Sequence, residues 1–206
     1  MVMKILRIAV TGSAGSGKSL VCQRLKAIGL ATLDCDVIAR EIVEPGMPGF
    51  TKIVESFGKK VVGKEGTLDR AKLRDIIVNN DLLRQKLENI LHPQILKEMV
   101  FQMENASFKN HNAVVVEVPL LFELGMEKQF DVTIAVRAQD MDLVKRICDR
   151  DNVTREDAGK VLDLQMSQED KMLRADHVII NTGTRSELFE SVDNLFDKIQ
   201  KEFLTS

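Results

Sequence analysis

The chain is poor in cysteine, has almost no surplus of charge of either sign, and contains no long apolar run. Each shortage closes off a class of protein. The three cysteines, Cys22, Cys35 and Cys148, are too few and too scattered for a disulfide framework or a zinc cage. They suit a reducing compartment, so the cytoplasm is the expected location. Twenty-nine basic against 31 acidic side chains leave a formal charge of −2. A dedicated nucleic-acid binder would be far more basic, so no nucleic-acid partner is expected. The first residues, Met1 to Thr11, are apolar, but Lys4 and Arg7 interrupt them. No run approaches the roughly 18 apolar residues that span a bilayer, and no signal-peptide pattern is present, so no membrane partner is expected. Internal repeats, low-complexity tracts and flexible linkers are also missing. What remains is 206 residues, 44% hydrophobic and 29% charged. That balance fits one compact unit with small inserted subdomains and excludes wholesale disorder.

The pattern of elements points to an α/β fold. Ile5 to Thr11 reads as a short buried strand, Ser19 to Ile28 as a helix stopped by Gly29, and Leu30 to Leu33 as a second strand. Strand, loop, helix and strand in that order argue for a parallel sheet. The stretch from Asp69 to Asn105 holds no convincing strand. Its Leu83, Leu87, Leu91, Ile95, Met99 and Met103 recur every four residues, as on one helix face. His92-Pro93 interrupts that face, which predicts a kink or two consecutive helices. Pro45 to Gly49 and Gly63 to Gly66 read as the punctuation around this helical insertion. Strands are expected at Ala113–Val118, Val132–Val136 and His177–Ile180. Helices are expected at Asp140–Asp149, through most of Thr154–Met172, and at Ser186–Phe203, whose buried stripe is Leu188, Val192, Leu195, Phe196 and Ile199.

The strongest motif is Gly12-Ser13-Ala14-Gly15-Ser16-Gly17-Lys18-Ser19, which matches the phosphate-binding P-loop, G-x-x-x-x-G-K-[ST]. Glycines let the backbone wrap tightly, so that successive N–H groups point into one concavity. The helix that follows adds the partial positive charge of its N-terminus. Lys18 can reach the β- and γ-phosphates, and the Ser19 hydroxyl can bind Mg²⁺. A dinucleotide reading fails, because Gly15-Ser-Gly17 is followed by Leu20 at the sixth position.

Other residues gather on the same expected rim. In parallel sheets ligands bind beyond the carboxyl ends of the strands, so the P-loop and Asp34 should share a crevice. Asp34 can orient or deprotonate an attacking hydroxyl; otherwise it is a solvated turn residue. Asp36 serves either as a ligand-side carboxylate or as the cap of a helix from Val37 onward. Glu117 is either a Walker-B-like acid or a strand residue held in a salt bridge. On composition alone, Pro119-Leu120-Leu-Phe-Glu123 reads as core more readily than as a ligand site. Arg146 and Arg150 are spaced to share one helix face. They suit the charge of a transferring phosphoryl group, a use favoured for Arg146; the alternative is a solvated charged helix. Cys35, between two aspartates, is the thiol expected to react with a probe. A guanine-dependent switch is disfavoured, since the chain has neither N-K-x-D nor D-x-x-G after a buried strand.

Taken in order, these motifs resemble the dephospho-coenzyme A kinase family over nearly the whole chain. The P-loop is followed by a D-x-D, Asp34-Cys-Asp36, then Gly66-Thr-Leu-Asp69-Arg70, Leu91-His92-Pro93, Pro119 to Glu123, and Arg146 with Arg150. Gln165, Lys171, Ala175-Asp176 and Asn181-Thr-Gly183 complete the series. The resemblance implies a three-layer P-loop fold with a five-stranded parallel sheet, a helical acceptor-binding insertion and a small helical lid. The core would comprise about 1–35, 110–137 and 175–206, the acceptor lobe about 36–109 and the lid about 138–174. The implied reaction moves the γ-phosphoryl group of ATP to the 3′-hydroxyl of dephospho-coenzyme A, with Mg²⁺ as cofactor. Asp34 becomes the base or the group that orients the attacking hydroxyl, and Lys18 and Arg146 stabilise the phosphoryl group. ATP is held by Gly12 to Ser19, Arg146, Asn181 and Gly183, and the acceptor by Asp34, Asp36, His92, Pro119 and Leu120. The partners are the two substrates, and the expected state is a monomer. The chain departs from the family at Ser13-Ala14, where glycine and isoleucine are frequent, at Cys35, where alanine is common, and at Leu143, where glutamine is frequent.

Overall fold

The computed structural model describes residues 5–78, 80–107 and 113–204. Five short strands form one sheet: β1 (Leu6–Thr11), β2 (Ala31–Asp34), β3 (Ala113–Glu117), β4 (Val132–Arg137) and β5 (His177–Ile180). Their order is β2-β3-β1-β4-β5, and every pairing is parallel. A parallel sheet covered on both faces needs strands that are apolar throughout rather than alternating. β1 and β3 meet that need: Ile8, Ala9, Val10, Val114, Val115 and Val116 are all fully buried. On one face, Leu6, Ile8 and Val10 pack with Val21 and Leu25 and with the stripe Leu188, Val192, Phe196 and Ile199. Full burial of each such side chain is worth about 1.5–3 kcal/mol.

The helices are α1 (Lys18–Ala27), α2 (Cys35–Glu41), α3 (Pro48–Phe57), α4 (Arg70–Val78), α5 (Asp81–Ser107), α6 (Asp140–Asp151), α7 (Arg155–Asp163), α8 (Gln168–Arg174) and α9 (Arg185–Leu204). The chain divides into two compact units, Met1–Asp34 with Met103–Ser206, and Cys35–Gln102. The first contains the sheet, with α1, α6 to α9 and the end of α5. The second is helical.

Several helix ends follow from local chemistry. α1 stops as its glycine predicts: Gly29 turns to φ +99°, and the Leu30 amide reaches back to the Leu25 carbonyl at 3.2 Å. Thr154 and Ser167 cap α7 and α8 by accepting from the Asp157 and Asp170 amides. Two expectations need correction, and a third is narrowed. α2 begins at Cys35 directly after β2, so Asp36 lies inside its first turn and does not cap a helix from Val37. Pro48 is not punctuation but the opening of α3, where its missing N–H costs nothing. Of the two alternatives at His92-Pro93, consecutive helices are excluded, because α5 runs through Pro93 as one helix of 27 residues. Proline removes the N–H that would reach the Asn89 carbonyl; beside it, the Gln94 side chain donates to the Ile90 carbonyl at 2.8 Å. The expected apolar face of α5 is present, with Leu87, Met99 and Met103 buried.

Candidate active site

The site grows from the end of β1. Gly12 stands at φ +146°, and any side chain there would run into the Val136 carbonyl. Gly17, at φ +100°, lies so close to the Asn181 amide that a Cβ would overlap it. Three loop carbonyls are held by long side chains. Lys18 Nζ donates to Ser13 O at 3.0 Å, Arg146 Nη1 to Gly15 O at 3.1 Å, and Asn181 Nδ2 to Ser16 O at 2.7 Å. Carbonyls fixed in this way leave a loop whose amides can face an anion, at the N-terminus of α1. The Ala14 amide is tied too, donating to Gln165 Oε1 at 2.9 Å.

Two carboxylates stand beside the loop at the strand ends. Asp34 is the register partner of Glu117 across β2 and β3, so their side chains share a face of the sheet. Ser19 Oγ donates to Glu117 Oε1 at 2.9 Å. Cys22, one turn beyond Ser19 on α1, senses the whole cluster. Burial pushes its thiol well above the ordinary value; the Glu117 and Asp34 carboxylates push it the same way, and Lys18 opposes them. Of the two readings of Glu117 the geometry favours the acid beside the P-loop serine. Ser19 and Glu117 offer only oxygen donors, which fits a hard divalent cation. Among the described residues no three or more His, Cys, Asp or Glu side chains form a ready metal cage.

The segment from α6 to α8 closes one side. Arg146 reaches Gly15 and also lies 3.8 Å from Asp142, while Arg150 is exposed and paired with Asp151 at 2.7 Å. Leu143 is buried, with its backbone against Gly15. Lys171, 0% exposed, donates to Pro119 O at 2.8 Å and Glu123 Oε1 at 2.7 Å. Pro119 O also accepts from Thr11 Oγ1 at 3.4 Å. The Pro119–Glu123 segment is therefore of two kinds: Leu121 and Phe122 are core, whereas Leu120 is 36% exposed. Beyond β5, Gly183 packs against Glu187, which accepts from the Thr184 amide and hydroxyl.

The P-loop, Asp34, Arg146, Asn181, Pro119 and Leu120 thus belong to the first unit. Asp36, exposed on α2, and His92, half-buried on α5, belong to the second. Cys35 is not the reactive thiol expected: it is buried, with its sulfur 3.6 Å from that of Met99. Gln165 and Lys171 enter the sequence reading only through the family resemblance. Neither has a local pattern that signals its partner, since those partners lie 151 and 52 residues away.

The dephospho-CoA kinase family model matches residues 6–187. A dephospho-CoA kinase of Bacillus cereus is 39% identical over 177 residues, covering 86% of this chain and 88% of that protein. Among solved structures, one from Thermus thermophilus superposes with a TM-score of 0.80 at 31% identity, covering 96% of this chain and 97% of the other. The dephospho-CoA kinase of Campylobacter jejuni gives a TM-score of 0.72 at 30% identity, covering 95% and 98%. A P-loop gripped from three sides, paired carboxylates at the neighbouring strand ends and this breadth of likeness lead to one conclusion: the chain belongs to the dephospho-CoA kinase family, and is an ATP-dependent kinase.

Proposed function

We propose that the chain transfers the γ-phosphoryl group of ATP directly to the 3′-hydroxyl of the dephospho-coenzyme A ribose, with no phospho-enzyme intermediate. The observation that carries this reading is the Asp34–Glu117 register beside the Ser19 hydroxyl, which puts a carboxylate next to the phosphate loop. The acceptor oxygen bonds to the γ-phosphorus as the bond from that phosphorus to the ADP oxygen breaks. The acceptor proton passes to the Asp34 carboxylate. Gly12 to Ser19 hold the phosphates, and Lys18 and Arg146 balance the charge spread over the moving group. Ser19 and Glu117 would hold Mg²⁺, which when bound neutralises phosphate charge. Asn181 and Gly183 lie on the ATP side. Asp34, Asp36, His92, Pro119 and Leu120 bind the acceptor. Residues of about 36–109 form the acceptor lobe, and those of about 138–174 a lid that keeps water from taking the phosphoryl group. The enzyme works in the cytoplasm as a monomer, without nucleic acid or membrane.

The test is release of ADP in a coupled assay with Mg²⁺, ATP and either dephospho-coenzyme A or AMP. Turnover on dephospho-coenzyme A alone is the expected result; turnover on AMP alone would overturn the acceptor assignment. In the same assay Asp34→Asn should lose about 10²–10⁴-fold in kcat, the usual worth of a positioned base, with ATP affinity nearly unchanged. Near-native kcat in that variant would remove Asp34 from the mechanism.

A further inference from the structure

Gln165 lies between α7 and α8, and its side-chain carbonyl accepts from the Ala14 amide, in the third position of the phosphate loop. A loop-borne glutamine is ordinarily too free to fix anything. This one is fixed by its neighbours. The next residue, Met166, donates its amide to Glu123 Oε1 at 2.9 Å. That same oxygen receives the fully buried ammonium of Lys171 at 2.7 Å, and Lys171 also grips the Pro119 carbonyl. Ser167 then caps α8. The backbone on the far side of Gln165 is thus anchored in the protein interior, and its side chain extends from that anchor to the loop.

We propose that Gln165 is a positioning residue for nucleotide binding: it holds the phosphate loop open by fixing Ala14 from outside. The chain of contacts runs from Lys171 through Glu123 and Met166 to Gln165, and from there to Ala14. Lys18, Arg146 and Asn181 pull on carbonyls of the loop, whereas Gln165 takes an amide. It turns one N–H outward and so fixes the plane of the peptide between Ser13 and Ala14. Ordering of a loop before the ligand arrives is felt as affinity for that ligand, not as a faster chemical step. The inference rests on the phosphate-loop reading above.

The experiment compares the full chain with Gln165→Ala and Gln165→Met, measuring kcat, both KM values, ATP affinity by calorimetric titration, and Tm. Loss of one neutral hydrogen bond predicts about a three- to tenfold rise in KM and Kd for ATP. KM for dephospho-coenzyme A should stay within about twofold, and Tm should fall by no more than one unfixed surface contact implies. Methionine, nearly the same length but without the carbonyl, should behave like alanine. ATP affinity within twofold of wild type in both variants would overturn the proposal. So would recovery by methionine alone, which would make the role one of packing, or parallel losses in both KM values and Tm, which would make it general stability. A wild-type chain that fails to bind ATP would instead refute the phosphate-loop reading beneath it.

Discussion

Replacing Lys171 by methionine probes the ion pair that joins α8 to the loop after β3. Methionine fills nearly the same space but cannot donate. The substitution leaves the Pro119 carbonyl without its ammonium, and the Glu123 carboxylate with the Met166 amide but no counter-charge. Breaking a buried pair from one side costs about 3–5 kcal/mol, because the surviving charge stays buried. Glu123 retains 18% side-chain exposure and one amide donor, which puts the loss near the lower limit, at about 3 kcal/mol. For a chain of this size each kcal/mol moves Tm by about 2–4 °C, so a fall of about 6–12 °C is expected. The measurement is thermal and urea unfolding followed by circular dichroism. The double variant Lys171→Met/Glu123→Leu sharpens it. Exchanging a whole buried pair for apolar side chains is often neutral, so the double variant should be more stable than the Lys171→Met single. The reasoning is refuted if the single variant lies within about 1 kcal/mol of wild type. It is refuted equally if the double variant loses the full sum of the two single losses.

Lys18→Ala should lower both ATP affinity and kcat, the latter by about 10²-fold or more, since it removes a phosphate contact and also frees the Ser13 carbonyl. Single-turnover kinetics with saturating ATP separate the two losses. Gly17→Ala should abolish ATP binding in calorimetric titration, because φ +100° and the Asn181 amide both exclude a methyl group; normal binding would contradict the loop geometry. In the native protein a maleimide should label Cys148, which is partly exposed, and spare the buried Cys22 and Cys35, as peptide mass mapping would report. The raised Cys22 pKa also has a signed consequence. Below the ordinary thiol range both folded and unfolded chains carry the proton. Above about pH 8.5 only the unfolded chain releases it, so stability falls as pH rises from there. Cys22→Ala should flatten that alkaline limb in urea titrations.

How far the sequence could be read depended on the distance over which each residue is constrained. The strands β1, β3 and β4, the glycine stop of α1 and the stripe of α9 are set by adjacent residues, and the patterns reveal them. The P-loop was legible for the same reason, since its glycines, lysine and serine lie within eight consecutive residues. Pro93 is only half legible: the rule that proline disturbs a helix interior is local, but the extent of helix on either side that carries α5 through it is not. Cys35 misleads because its sequence neighbours are acidic while its spatial neighbour is Met99. Glu117 stays ambiguous until folding brings Ser19, 98 residues away, to its carboxylate. Gln165 and Lys171 show the limit most clearly: no local pattern marks either, yet one accepts from the Ala14 amide of the phosphate loop and the other is wholly enclosed.

The strand order has a consequence for how the protein is made. β1 and β2 are not neighbours; each lies against β3, and β1 also against β4. A ribosome that has completed β1, α1 and β2 has therefore produced two apolar strands with no partner for either. Nearly eighty residues separate the end of β2 at Asp34 from the start of β3 at Ala113. At about 5–20 residues per second, that interval lasts roughly 4–16 s. The helical unit Cys35–Gln102 emerges during it, and its contacts can form locally. Throughout those seconds the future centre of the sheet is an open edge on both sides, the kind of surface that chaperones shield and that aggregates begin from. The helical insertion thus lengthens the most exposed moment in the life of the chain; synthesis of β3 gives both strands their first partner at once, and the other side of β1 stays open until β4 follows.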